Sequence, residues 1–520
     1  MVRQFSWARQ AVCGDIALGM RTKIIVAAAL LLGLVAWDFA AATTFVGDDY
    51  LFLAFARLEP NPLVAFVRDM HGGEYYRPLP MLLWWLLNRV GQGAQWPFAL
   101  AGFLLHAGCA ALVVALGRGV GLTLRVSLAA GALFLVAPAQ REAALWFAAS
   151  TDLLATLATL AALICLLRKS RAWQVASVAL AALAYLSKET GLVLPLLGMA
   201  TKWAASYRQQ TATENTEGRG EFTEFLRVCV APVLPHVVLA GGYLAVRFSV
   251  LGGMGGSNDP VAPWWGRGLQ MAAGLVHAVT GYAPLPEVVA WFVGGGVLVF
   301  AGVFALRTRA WFPVLWTLLT LLLLPAAGWL VGARYYYLPA VGLMLMLAMA
   351  ADARGSAFVI VVVSLLAAIG LASTATRMAE VRRYRAVLAA ARDVVTKDAQ
   401  AGNTIFLVRN AVKDLDLALK LTTPLGRLPQ PLLVIPDVPA SFVWMPDALA
   451  DRARFLLARP PLPPAGAYRF GGQSIVGLAR REEAPDLDEV LARLPELRFI
   501  ELVTDGRGQV TGRDRTESHR

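Results

Sequence analysis

A run of about 20 apolar residues can satisfy its backbone hydrogen bonds in lipid only by forming a helix. Such runs recur along this chain from Ile24–Ala42 to about residue 372, and within that region the arginine and lysine cluster in the short loops between them. That alternation restricts the fold to a polytopic helical bundle. Composition agrees: 58% of the 520 residues are apolar and only 16% charged, too little charge to coat a soluble protein of this length. The formal net charge of +12 raises the question of nucleic acid. Its placement answers it, because the basic residues sit at the ends of apolar runs as orientation signals, with no basic-aromatic binding motif.

Arg3, Arg9, Arg21 and Lys23 precede the first run, so residues 1–23 are expected in the cytoplasm and the first loop, 43–95, outside. Within that loop LPMLLWWLLNRVG is too short to cross, and its Trp84-Trp85 pair suits an interfacial or re-entrant helix. Leaving it outside places Arg118 and Arg125, then Arg168, Lys169 and Arg171, then Arg307 and Arg309, all in the cytoplasm. This predicts about 11 spans over residues 24–372, with a second large outer loop at 251–287. From Thr374 the composition changes. A basic amphipathic helix (Met378–Val395) and strand-like runs (NTIFLVRN, PLLVIP, YRFGGQSIVGLA, RFIELVTD) predict a small outer α+β domain over 373–504. A polar tail, 505–520, is expected to be disordered. The first run is expected to be retained rather than cleaved, since Asp38 and Thr43-Thr44 make a poor processing site. The four cysteines show no ligand or CxxC spacing, and the five histidines share none either, so no metal site and no cofactor are predicted.

Under this topology the ionisable residues that are not cytoplasmic anchors gather on one side. They include Asp48, Asp49, Arg68, Asp69, His71, Glu74, Arg77, Arg141, Glu142, Asp152, Lys188, Glu189 and Arg334. Charge at helix ends within a bundle is costly unless paired or hydrated, which makes it a functional signal. Asp48-Asp49 can be a solvated pair, a cap for the helix that follows, or a general base with a tuning neighbour. Arg77, before Pro78, is either a snorkelling arginine or a forked donor to a phosphate. Arg334 in RYYYLP belongs either to an aromatic belt or to a phosphate clamp with an aromatic wall for a sugar. Lys188-Glu189 reads as an ion pair or as part of the site, and Asp152 as a helix N-cap or as part of the site.

In order along residues 24–372 stand the Asp48-Asp49 pair, YYRPL, EAALWFAASTDLLA from Glu142, LSKETG, an NDP in the second outer loop, and RYYYLP. This succession resembles the GT-C superfamily of integral-membrane glycosyltransferases, nearest the branch of TMTC-type protein O-mannosyltransferases and their bacterial relatives. The resemblance implies a polyprenyl-phosphate sugar donor, inversion at the anomeric carbon, and an acidic base in the first outer loop. Carried onto this chain, the base is Asp48 or Asp49, and Arg77, Lys188 and Arg334 are candidate ligands of the donor phosphate. Glu142, Asp152 and Glu189 become supporting polar groups, with Tyr76, Tyr335 and Tyr337 as aromatic surfaces for substrate. The pattern departs at Gln140, where the family has a histidine, and at Thr151, where it has an arginine. The tetratricopeptide repeats that end the TMTC-type proteins are also missing. A glycan or lipid acceptor therefore stands beside a protein one. The expected location is the bacterial inner membrane with a periplasmic site. A transporter of lipid-linked sugars would want its polar groups at mid-span, and a scaffold would leave the outer charges unexplained.

Overall fold

The computed structural model describes residues 27–45, 48–69, 75–92, 94–212, 223, 225–253, 255, 287–308, 310–321 and 333–398, and seven strands within 404–514. The N-terminal segment 1–23, His71, Glu74, the NDP motif and most of the second outer loop lie outside the described residues.

Helices α1 (Ala27–Ala42), α2 (Asp49–Leu58), α3 (Pro78–Gly91), α4 (Trp96–Gly119) and α5 (Leu124–Val136) come first. They are followed by α6 (Arg141–Leu145), α7 (Ser150–Leu166), α8 (Arg171–Ser187), α9 (Leu194–Ala212) and α10 (Leu234–Leu251). The last are α11 (Glu287–Thr308), α12 (Trp311–Leu321), α13 (Ala340–Asp352) and α14 (Ser356–Asp398). Among the described residues four helical stretches are long and apolar enough to cross a membrane: Trp96–Gly119, Phe147–Leu166, Leu226–Leu251 and Ser356–Ala391. Shorter apolar helices, α1, α5, α12 and α13, pack among them.

Close packing comes from small residues, since lipid supplies no hydrophobic drive between helices. Gly131 of α5 lies so near Ala110 and Val114 of α4 that a Cβ would overlap them, and Gly342 of α13 is seated on the Pro313 carbonyl and Thr317 of α12. Buried His106 ties α4 to the segment before α13: its Nδ1 accepts from the Tyr337 hydroxyl (2.7 Å), and its Nε2 donates to the Leu135 carbonyl (3.0 Å).

Several expectations change here. Helix α3 has 14 residues, about 21 Å at 1.5 Å per residue, short of a 30 Å hydrocarbon core. Trp84, however, is a core residue rather than an interfacial one. It is 1% exposed, packs on Phe98 at 4.7 Å and Phe52 at 5.3 Å, and donates from Nε1 to Ser150. Trp85 is held by the Glu59 carbonyl. The boundary expected at 372/373 falls inside a helix, because α14 runs unbroken for 43 residues. Beyond it the strands β1 (Thr404–Arg409), β2 (Leu432–Val434), β3 (Phe442–Pro446), β4 (Ala467–Phe470), β5 (Gln473–Gly477), β6 (Arg498–Thr504) and β7 (Val510–Asp514) form one sheet. Its order is β4-β5-β3-β2-β1-β6-β7, with β1 parallel to β2 and β6 and the other pairs antiparallel. Strand β7 lies in the tail expected to be disordered and pairs with β6 from Ile500↔Asp514 to Thr504↔Val510.

Candidate active site

The first loop is anchored by aromatic rings. Phe45 is buried against Phe98 (5.2 Å) and Phe147 (5.3 Å), which fixes the chain where α2 begins. Asp48 takes the N-cap position of α2 but makes no side-chain cap bond, and it is exposed. Asp49, in the first turn, is fully buried, and its Oδ1 accepts from the Ala148 amide at 2.6 Å. That amide belongs to the turn Phe147–Ala149 leading into α7, where helix N–H groups have no partner of their own and favour negative charge. The adjacent carboxylates thus have different surroundings: one is fixed by a helix start, the other is open to solvent.

One turn on, Asp152 lies in the first turn of α7 and does not cap it. It is buried, and both its oxygens accept from Lys188 Nζ at 2.6 Å. Lys188 and Glu189 are not partners of each other. Glu189 opens a tight turn, Glu189–Val193, and receives Arg77 at 2.8 Å and Arg247 at 2.5 Å. Gly191 permits that turn to press on α8, since a Cβ there would sit 2.9 Å from the Ala184 carbonyl. Burial alone would raise the carboxyl of Glu189, but the two guanidinium groups outweigh it and hold it at about 2. The converse holds for Arg77: burial opposes its charge, yet the Glu189 carboxylate raises its pKa above the ordinary value.

The aromatic residues border this charge cluster. Tyr75 stacks on the Arg77 guanidinium (4.1 Å), and Tyr335 faces Lys188 Nζ at 5.0 Å. Arg334 lies over Trp146 at 4.2 Å, and Glu142 accepts from its backbone N–H at 3.1 Å and from its guanidinium at 3.4 Å. Tyr76 and Tyr337 are buried. The Tyr76 hydroxyl donates to the Phe66 carbonyl and its own carbonyl accepts from Tyr243, so it braces the loop, while Tyr337 is held by His106.

The expected residues Arg77, Asp152, Lys188, Glu189, Glu142, Arg334 and Tyr335 are therefore gathered at one end of the bundle; Asp49 is tied to the turn before Asp152 through Ala148, and Asp48 precedes it at the start of α2. Two groups were missed. Arg247 stands inside the apolar run of α10 and is buried; an arginine in such a run is itself a functional signal. Asp38 of α1 pairs with Arg141 at 2.8 Å. That pair borders a cavity of about 20 Å³, the size of one water, also lined by Gln140 and His106. Among the described residues no three of His, Cys, Asp and Glu are grouped to hold a metal.

No protein-family model matches the chain, and no curated protein matches it in sequence. Solved structures do match. The structure of ArnT from Cupriavidus metallidurans bound to undecaprenyl phosphate superposes with a TM-score of 0.50 at 14% identity, over 89% of this chain and 99% of that one. The apo state of the same protein gives a TM-score of 0.33 at 14% identity, over 90% and 100%, a level that bears no weight. Neither match singles out the TMTC-type branch. At this identity the likeness concerns the fold alone: the chain has the architecture of the ArnT structure, and four of its described helical stretches are long and apolar enough to cross a membrane.

Proposed function

We propose that this protein is an inverting glycosyltransferase that moves a sugar from a polyprenyl-phosphate donor to an acceptor hydroxyl at the periplasmic face of the bacterial inner membrane. The observation that carries the reading is the gathering of cations at the cluster. Four cations, Arg77, Arg247, Lys188 and Arg334, face three carboxylates, Glu189, Asp152 and Glu142. Forked and ammonium donors gathered in this way suit a phosphate, and the ArnT structure of like fold holds undecaprenyl phosphate.

In the proposed reaction, Asp48 accepts the proton of the acceptor hydroxyl as its oxygen attacks the sugar C1 from the face opposite the phosphate. The C1–O bond to phosphate breaks, and its electron pair leaves with the polyprenyl phosphate. Arg77 and Arg247, oriented by Glu189, take up that charge together with Lys188 and Arg334. Asp49 holds the loop through Ala148, and Tyr335 offers a ring to the sugar. The acceptor is a glycan, lipid or protein hydroxyl. Eleven crossings with a cytoplasmic N-terminus complete the reading.

Binding tests the donor half. Undecaprenyl phosphate should raise the melting temperature of the purified protein, and Arg77→Gln combined with Arg247→Gln should abolish the shift. An equal shift in the double variant would remove the cluster from the donor site.

A further inference from the structure

Helix α14 continues well past the length a bilayer requires, and its charges follow a pattern that the transfer reaction does not use. A hydrocarbon core about 30 Å thick takes roughly 20 residues, here about 356–376, with Leu366 near the centre. One buried stripe (Leu366, Gly370, Thr374, Val381, Tyr384, Leu388) runs the length of the helix, so its faces do not change side. On the opposite face Phe358, Val361 and Leu365 are exposed, as side chains facing lipid are. Arg383 stands 18 residues after Leu365, five full turns, and therefore on the same line, with Arg382 beside it. Both are exposed, and neither forms an ion pair among the described residues. Arg385, by contrast, turns inward to the Thr43 carbonyl (2.9 Å) and Gln95 (3.2 Å), which fixes the extension against the first loop.

We infer that Arg382 and Arg383 form a binding site for the phosphodiester headgroup of an anionic phospholipid in the leaflet at the acidic-loop end of the bundle. Their Cα atoms lie about 25 Å from the bilayer centre at 1.5 Å per residue. Helical side chains lean back toward the N-terminus, and arginine stems reach several ångströms. The guanidinium groups therefore return to the headgroup layer, which ends about 20–22 Å from the centre. Ala375 and Ala379, exposed on the same face below them, leave room for the headgroup. Exposed positive charge at that depth favours an anionic lipid over a zwitterionic one. The inference rests on α14 spanning the membrane and not on the transfer reaction.

Native mass spectrometry of the detergent-purified full chain tests it with phosphatidylglycerol and phosphatidylcholine. Wild type should retain phosphatidylglycerol preferentially, and Arg382→Gln with Arg383→Gln should weaken that retention roughly fivefold per arginine removed. The double lysine variant should keep most of it, and phosphatidylcholine binding should not change. Undiminished phosphatidylglycerol retention in the glutamine variant would overturn the assignment. Equal displacement by soluble glycerol phosphate would also overturn it, since the occupant would then be a free phosphate compound rather than a membrane lipid.

Discussion

Asp48 and Asp49 are neighbours in sequence with opposite surroundings, and their substitutions should separate. Asp48→Asn should lower transfer by about 10²–10⁴, the usual contribution of a general base, with an unchanged melting temperature. Asp49→Ala strands the Ala148 amide and should cost about 1–3 kcal/mol of stability, read as a lowered melting temperature. Glu189 gives a pH test with a definite sign. Its carboxyl is held at about 2, below its ordinary 4.5, so the stability it contributes is present above pH 4.5 and lost as pH falls toward 2. A melting curve followed through that window should fall for wild type, and the part due to this group should be missing in Glu189→Gln. The sequence made these residues visible because each interrupts or ends an apolar run. Their partners were not visible: Arg77 meets Glu189 across 112 positions and Lys188 meets Asp152 across 36. Only packing brings such residues together. Arg247 stayed hidden because it scarcely lowers the hydropathy of a 26-residue apolar stretch.

The turn Glu189–Val193 is the element that sets the geometry of the cluster, since one short segment presents Lys188 to α7 and Glu189 to α10. Gly191→Ala would force it off α8, and undecaprenyl phosphate binding should weaken about tenfold while helix content is unchanged, as measured by thermal shift and circular dichroism. Unchanged affinity in Gly191→Ala would contradict it. The length of the apolar runs and the basic residues at their ends made most such elements legible. The long α14 was not, because a shift from apolar to basic composition looks like a boundary. Residues 371–398 contain neither Gly nor Pro, so nothing in them ends a helix. Strand β7 was missed for a related reason: VTGRD is too polar to signal a strand, and its place comes from pairing along β6.

At the scale of the molecule, the account requires the charge cluster and the basic loops to face opposite sides of one membrane. Single cysteines introduced at Asp48 and at Lys169, in a variant lacking the native cysteines, should be labelled from opposite sides of the membrane; labelling from one side would refute the proposed topology. The apolar runs made the bundle readable, while the path of the chain within it needed helix–helix contacts such as Gly342 on Pro313. The central claim is sugar transfer with Asp48 as base. The most direct measurement incubates purified wild type, Asp48→Asn and Asp49→Asn with radiolabelled polyprenyl-phosphate monosaccharides and periplasmic acceptors. The account predicts label transfer by wild type and its loss in Asp48→Asn, with Asp49→Asn less impaired because an amide oxygen can still accept from Ala148. Transfer undiminished in Asp48→Asn, or no donor consumed by the folded wild type, would contradict it.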